Sequence, residues 1–123
     1  LTNVPINEIQ SDRIRFVQHW ARKWRKVIVL KGANTVIADH MGNTWVNPIS
    51  NPILATGGTG DVLTGIIAGL MAQGLPIIYA ACCAVFAHAM CSGLLSETMG
   101  DRGGLASDLV ESLPLTFRQI IKS

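Results

Sequence analysis

The run Ala55-Thr56-Gly57-Gly58-Thr59-Gly60-Asp61 leads directly into an apolar segment beginning at Val62. Glycines let a backbone take positive φ and approach a ligand closely. The free amides and the dipole at the start of a helix attract anions. Thr56, Gly57, Gly58, Thr59 and Gly60 therefore read as a phosphate cradle. No Lys-Ser/Thr pair follows the last glycine, so the run is not a Walker loop. Asp61 falls in the first helical turn, beside any bound phosphate. Two readings of it stand: a helix-terminal carboxylate contributing about 0.3–1 kcal/mol, or a general base taking the proton of a hydroxyl that attacks or leaves there.

The surrounding charge pattern makes Asp61 stand out. Seven of the ten Lys/Arg residues lie between Arg13 and Lys31, and Asp61 is the one acidic or basic residue from His40 to Ser96. Such a stretch is buried on most sides, inserted in lipid, or built around its single charge. Burial of a hairpin and helices in an α/β layer is the expectation.

The elements that must position these residues follow from periodicity. Ile9, Phe16, Val17, Trp20, Ala21 and Trp24 recur at three and four, predicting one helix over 7–25. Asn7 would cap it, with Gln10 in capping-box spacing. Arg13, Arg15, Arg22, Lys23 and Arg25 fall around its polar side and read as a solvated basic face. Val27–Leu30 reads as a central strand buried on both faces. Lys31 then stands at the C-terminal end of a parallel strand, where α/β folds place ligand contacts. Strands 35–38 and 44–47 form a hairpin around the turn 39–43. Residues 48–60 are a loop, and helices follow over 59–73, 76–97 and 105–112. The last is capped near Ser107 and Asp108 and ended by Pro114. Gly65 and Gly69 would let helices approach closely.

Composition narrows the function classes. The 123 residues suit one domain, and 49% hydrophobic with 15% charged excludes a disordered tail. A net charge of +2 is too mild for a nucleic-acid partner. Cys82, Cys83 and Cys91 lack metal-ligand spacing and read as free thiols of a reducing cytosol, so no metal site and a cytoplasmic setting are expected. The first residues lack the features of a signal or transit peptide. Residues 77–95 are long and uncharged enough to be weighed as a membrane span. The joint 73–76 carries no Lys or Arg to set an orientation, so no membrane is expected. His88, on an apolar helix, reads as a satisfied core residue.

Three segments resemble one family: Val29-Leu30-Lys31-Gly32-Ala33-Asn34-Thr35-Val36-Ile37, Asn51-Pro52 followed by Leu54 through Leu63, and Gly104-Leu105-Ala106-Ser107-Asp108-Leu109 with Leu113-Pro114. Together they resemble the ADP-dependent NAD(P)H-hydrate dehydratases, carbohydrate-kinase-like domains of the ribokinase-like superfamily. The family's His-Pro-Gly-Glu segment and earlier strands are not in this sequence. The resemblance thus implies that residues 1–123 are the C-terminal part of a single ribokinase-like three-layer α/β/α domain. Ser50 and Ile53 depart from the family pattern, in the loop before the cradle.

The resemblance implies dehydration of NADH and NADPH hydrates coupled to conversion of ADP to AMP and phosphate, with ADP or ATP and Mg2+ as cofactors. It implies that Lys31, Gly32, Ala33, Asn34 and Thr35 contact the nucleotide, as does Gly60. Thr56, Gly57, Gly58 and Thr59 would donate amides to the phosphate being transferred, and Asp61 would act at the hydroxyl of the hydrated ring. The partners implied are these small molecules, with a homo-oligomer or association with the N-terminal part of the domain. A small-molecule kinase of the same superfamily and an inactive fragment are the alternatives.

Overall fold

A computed structural model of the chain describes residues 2–122, the Gln10 side chain excepted. The chain forms two compact units, Leu1–Asn47 and Pro48–Ser123.

The first unit begins with two helices, α1 (Ile6–Ser11) and α2 (Arg13–Trp24), where periodicity alone predicts one. The break is Asp12. It leaves helical geometry, and its carboxylate accepts the Arg15 amide at 3.1 Å, which starts α2 afresh. Asn7 is not a cap: α1 starts after Pro5 with no side-chain cap bond. The Gln10 side chain of the expected capping box lies outside the described residues. α2 ends at Arg25 in the left-handed region, φ 53°, with the Lys26 amide returning to the Ala21 carbonyl at 3.1 Å.

Strands β1 (Ile28–Leu30), β2 (Thr35–Ala38) and β3 (Thr44–Asn47) form an antiparallel sheet in that order. The register pairs Val29 with Ile37 and Ile37 with Trp45. The hairpin of β2 and β3 falls where the sequence places it. β1 differs from the expected strand buried on both faces in being half-buried along its length, and within the described residues it pairs antiparallel with β2. The reason for that pairing is chain length. Residues 31–34 are too few for the crossover of a dozen or more that a parallel pairing with β2 would require. The buried strand is β2, whose Val36 and Ala38 join Val17 and Ala21 of α2 in one core, flanked by Phe16, Ile28 and Leu30.

The hairpin turn is organised by Asp39. Its carboxylate accepts the amides of Met41 and Asn43, both at 2.9 Å, and the Asn43 side-chain amide at 2.8 Å. Gly42 takes φ +94°, a conformation that favours glycine.

The second unit is helical. A 3-10 turn, Pro52–Ala55, interrupts the expected loop. The helices α3 (Thr59–Ala72), α4 (Ile77–Met99) and α5 (Ala106–Lys122) follow. Its core joins Ile53, Cys91, Leu95 and Leu109, with Leu54, Val62 and Leu113 packed against it. α5 continues through Pro114 rather than ending before it. The spacing of Leu109, Leu113, Thr116, Phe117 and Ile120 carries one face onward, and burial of Leu109 and Thr116 offsets the lost backbone bond. Asp108 serves as expected near its start, accepting the Leu105 amide at 2.8 Å. Ser107 lies inside the first turn and does not precede the helix.

Burial accounts for only part of the charge-poor stretch. By length and composition α4 could cross a membrane, and half of its most apolar window is buried inside the chain. α3 buries only Thr59, Leu63 and Ile66, leaving Gly65, Ala68, Gly69 and Met71 exposed. A Cβ at Gly65 or Gly69 would meet nothing within 4 Å, so among the described residues this pair mediates no close helix approach. In β3, Trp45 and Val46 are exposed as well.

The Asn43 side-chain amide, with the backbone amides of Asn43 and Met41, holds the Asp39 carboxyl below its ordinary pKa against the opposing effect of burial. The fold favours the ionised form, so its contribution is complete above the ordinary carboxyl range and fades as pH falls through the lowered value. Asp39→Asn is therefore expected to destabilise the protein at neutral pH. The gap between wild type and variant, measured by urea unfolding, should narrow below about pH 4.

Candidate functional site

In the second unit, the glycine-rich run is fixed by its threonines and by one left-handed glycine. Gly58 precedes α3 with φ +88°, and a Cβ there would lie 3.2 Å from that of Ala106. Thr59, 3% exposed, turns its hydroxyl between the Leu54 and Thr56 carbonyls, at 2.7 and 2.8 Å. Its own carbonyl meets buried His88 Nε2 at 2.9 Å. A carbonyl only accepts, so that nitrogen carries the proton. Thr56 donates its hydroxyl to the Gly104 carbonyl at 3.5 Å.

These bonds point the polar side chains inward and leave the outer backbone free. Among the described residues, the amides of Gly57, Gly58 and Gly60 meet no acceptor, whereas the amides of Thr56 and Thr59, expected to be donors too, are taken by the Ile53 and Thr56 carbonyls at 3.0 and 3.3 Å. A Cβ at Gly57 would have open space around it. The run thus has the free amides and access that an anion requires, at the head of a 14-residue helix.

Asp61 stands exposed in the first turn of α3, and its carboxylate takes no bond or ion pair among the described residues. It borders a groove of about 530 Å³ between α3 and α5, walled by Val62, Gly65, Ile66, Gly69, Val110 and Leu113. A carboxylate at the rim of an apolar groove, one turn from free amides, can hold a hydroxyl and take its proton.

In the first unit, Lys31, Gly32, Ala33 and Asn34 form the exposed β1–β2 connection. Thr35 closes it: its hydroxyl lies 3.4 Å from the Gly32 amide and 3.3 Å from the Gly32 carbonyl. The larger restraint is Arg13. Its Nη2 lies 3.0 Å from the Leu30 carbonyl, 3.1 Å from that of Lys31 and 3.3 Å from that of Asn34. Sequence reading places Arg13 on a solvated face and misses this role. The available signal was its position one residue after a capping Asp, where a long side chain can reach past the helix end.

His88 and Gly104 are the other supports that pattern did not reveal. His88 is the satisfied core residue expected, and its partner is the cradle itself. Gly104 is buried under the loop, where a Cβ would come within 3.0 Å of Ile53. Ile53 is 1% exposed, so its departure from the family pattern is a matter of packing. All three cysteines are free. Burial raises the Cys82 and Cys91 thiols above their ordinary pKa, and Cys91 donates to the Leu109 carbonyl at 3.3 Å. Among the described residues, no three His, Cys, Asp or Glu side chains converge to hold a metal.

Comparison with known proteins agrees with these motifs. A family profile described as NAD(P)H-hydrate dehydratase matches residues 1–115. The ADP-dependent (S)-NAD(P)H-hydrate dehydratase of Bacillus subtilis is 40% identical over 119 residues, covering 97% of this chain and 43% of that protein. A bifunctional NAD(P)H-hydrate repair enzyme of Moorella thermoacetica is 43% identical over 113 residues, 92% of this chain and 21% of that protein. The chain thus spans less than half the length of these relatives.

A crystal structure of the B. subtilis ADP/ATP-dependent NAD(P)H-hydrate dehydratase, co-crystallised with ATP/Mg2+, superposes with a TM-score of 0.92 at 40% identity. The match covers 96% of this chain and 43% of that one. A ribokinase-like superfamily protein from Enterococcus faecalis superposes at 0.73 with 38% identity, over 83% of this chain and 35% of that one. The fold class is therefore α/β, of the ribokinase-like kind.

Gly58→Ala is expected to cost about 1–2 kcal/mol, since alanine must take the left-handed conformation. Thr59→Val, which removes the hydroxyl between two carbonyls, is expected to cost about 1 kcal/mol or more. Urea unfolding followed by far-UV circular dichroism measures both.

Proposed function

Because the chain belongs to the NAD(P)H-hydrate dehydratase family, we propose that it carries part of the active site of an enzyme that dehydrates (S)-NADHX and (S)-NADPHX to NADH and NADPH. In this reading it is the C-terminal part of a single ribokinase-like domain. The observation that carries it is the glycine cradle with unpaired amides, opening a helix whose first turn holds a free carboxylate at an apolar groove.

The chemistry fits that geometry. Water cannot leave readily as hydroxide from the hydrated ring. Asp61 takes the proton of the substrate hydroxyl as its oxygen attacks the terminal phosphoryl group of ADP, which departs as AMP. Loss of the new phosphate from carbon, with loss of a ring proton, then restores the double bond and releases inorganic phosphate. The amides of Gly57, Gly58 and Gly60, with the cradle positions Thr56 and Thr59 that shape them, meet the charge on the transferring phosphoryl oxygens. Lys31, Gly32, Ala33, Asn34 and Thr35 contact the nucleotide, Lys31 offering a cation to its phosphates.

ADP, or ATP in its place, is the proposed donor. A Mg2+ ion would neutralise phosphate charge; phosphate oxygens and water would hold it, because the described residues offer no cage of protein ligands. The free thiols suit a cytoplasmic setting.

Asp61→Asn in the full-length enzyme is expected to lower the rate of NADH recovery from its hydrate by about 100-fold or more. ADP binding, followed as a rise in melting temperature, should be largely kept. Recovery at the wild-type rate would reject the assignment. A stable phosphorylated product in phosphorus NMR would assign a small-molecule kinase instead.

A further inference from the structure

We propose that Arg13 is a positioning residue for nucleotide binding: it holds the Lys31–Asn34 connection in its binding shape from within the first unit. The inference rests on the nucleotide reading of that connection. One guanidinium nitrogen lies within 3.0–3.3 Å of the carbonyls of Leu30, Lys31 and Asn34. These residues bracket the exposed turn on both sides, so a single cation gathers its entry and its exit. Carbonyls drawn toward a cation on the protein side no longer present negative ends to an approaching phosphate.

The fit is close. A Cβ at Gly32 would lie 2.7 Å from Arg13 Nη2, so only glycine leaves room for the guanidinium as it stands. Gly32 and Arg13 therefore form one device. The N-terminal end of α2 anchors it, fixed in turn by the Asp12 cap on the Arg15 amide. A residue that acts this way changes affinity for the nucleotide and leaves the chemical step alone.

The test uses Arg13→Ala, Arg13→Lys, Gly32→Ala and the double variant Arg13→Ala/Gly32→Ala in the full-length enzyme. Arg13→Ala is expected to raise the KM for ADP on the order of ten-fold, the loss of about one charge-assisted hydrogen bond. It should leave kcat nearly unchanged and speed amide hydrogen exchange at residues 32–35. Arg13→Lys should regain part of the affinity, because an ammonium also donates to carbonyls. Gly32→Ala displaces the guanidinium and, as a nucleotide contact itself, should raise the KM for ADP at least as much as Arg13→Ala, with the double variant no worse than the more impaired single. Faster loop exchange in Arg13→Ala with an unchanged KM for ADP overturns the proposal, as do fully additive losses in the double variant. If ADP gives the wild-type loop no added protection from exchange, the nucleotide reading falls, and this inference with it.

Discussion

Backbone carbonyls at the ends of elements have no strand or helix partner, and in both units side chains meet them. In the first, Arg13 gathers three around the β1–β2 connection. In the second, the Thr59 hydroxyl sits between those of Leu54 and Thr56, and His88 meets the carbonyl of Thr59 itself. A buried carbonyl left unmet costs about 1–3 kcal/mol, so the bonds of Thr59 and His88 decide which way the cradle peptides face. The side of the cradle turned to solvent keeps its amides because the other side has spent its carbonyls on the protein.

Unpaired amides impose the matching constraint on the outer parts of the fold. The Asp12 carboxylate restarts a helix that apolar spacing would have run straight through. The Asp39 carboxylate closes the hairpin turn by accepting three donors at once. Asn51 accepts the Ile53 amide and donates to Ser96, 45 residues away, which ties the entrance of the cradle to α4. Short polar side chains at turns do here what long ladders do elsewhere.

Much of this was legible in the sequence, unevenly. The hairpin, the glycine run, the start of α3 and the position of Asp61 depend on local chemistry and could be read residue by residue. So could the family, because its motifs lie on the two loops. The antiparallel pairing of β1 with β2 could also have been read, since the four residues between them exclude a parallel crossover. Pro114 was taken as a stop because its local cost is plain, whereas the burial of Leu109 and Thr116 that outweighs it is tertiary. The role of Arg13 and the partner of His88 escaped for the same reason. A basic residue on a polar face and a histidine in an apolar run show their partners only when distant carbonyls come near.

The two glycines on the open side of α3 have a thermodynamic consequence. Gly65 and Gly69 leave that helix about 2 kcal/mol less stable than alanines would. Its own backbone therefore supplies little surplus, and Thr59, Leu63 and Ile66 hold it from the buried side. For such a helix folding and ligation are linked. An anion bound at its first turn, as proposed, would favour the wound form and so add to the stability of α3.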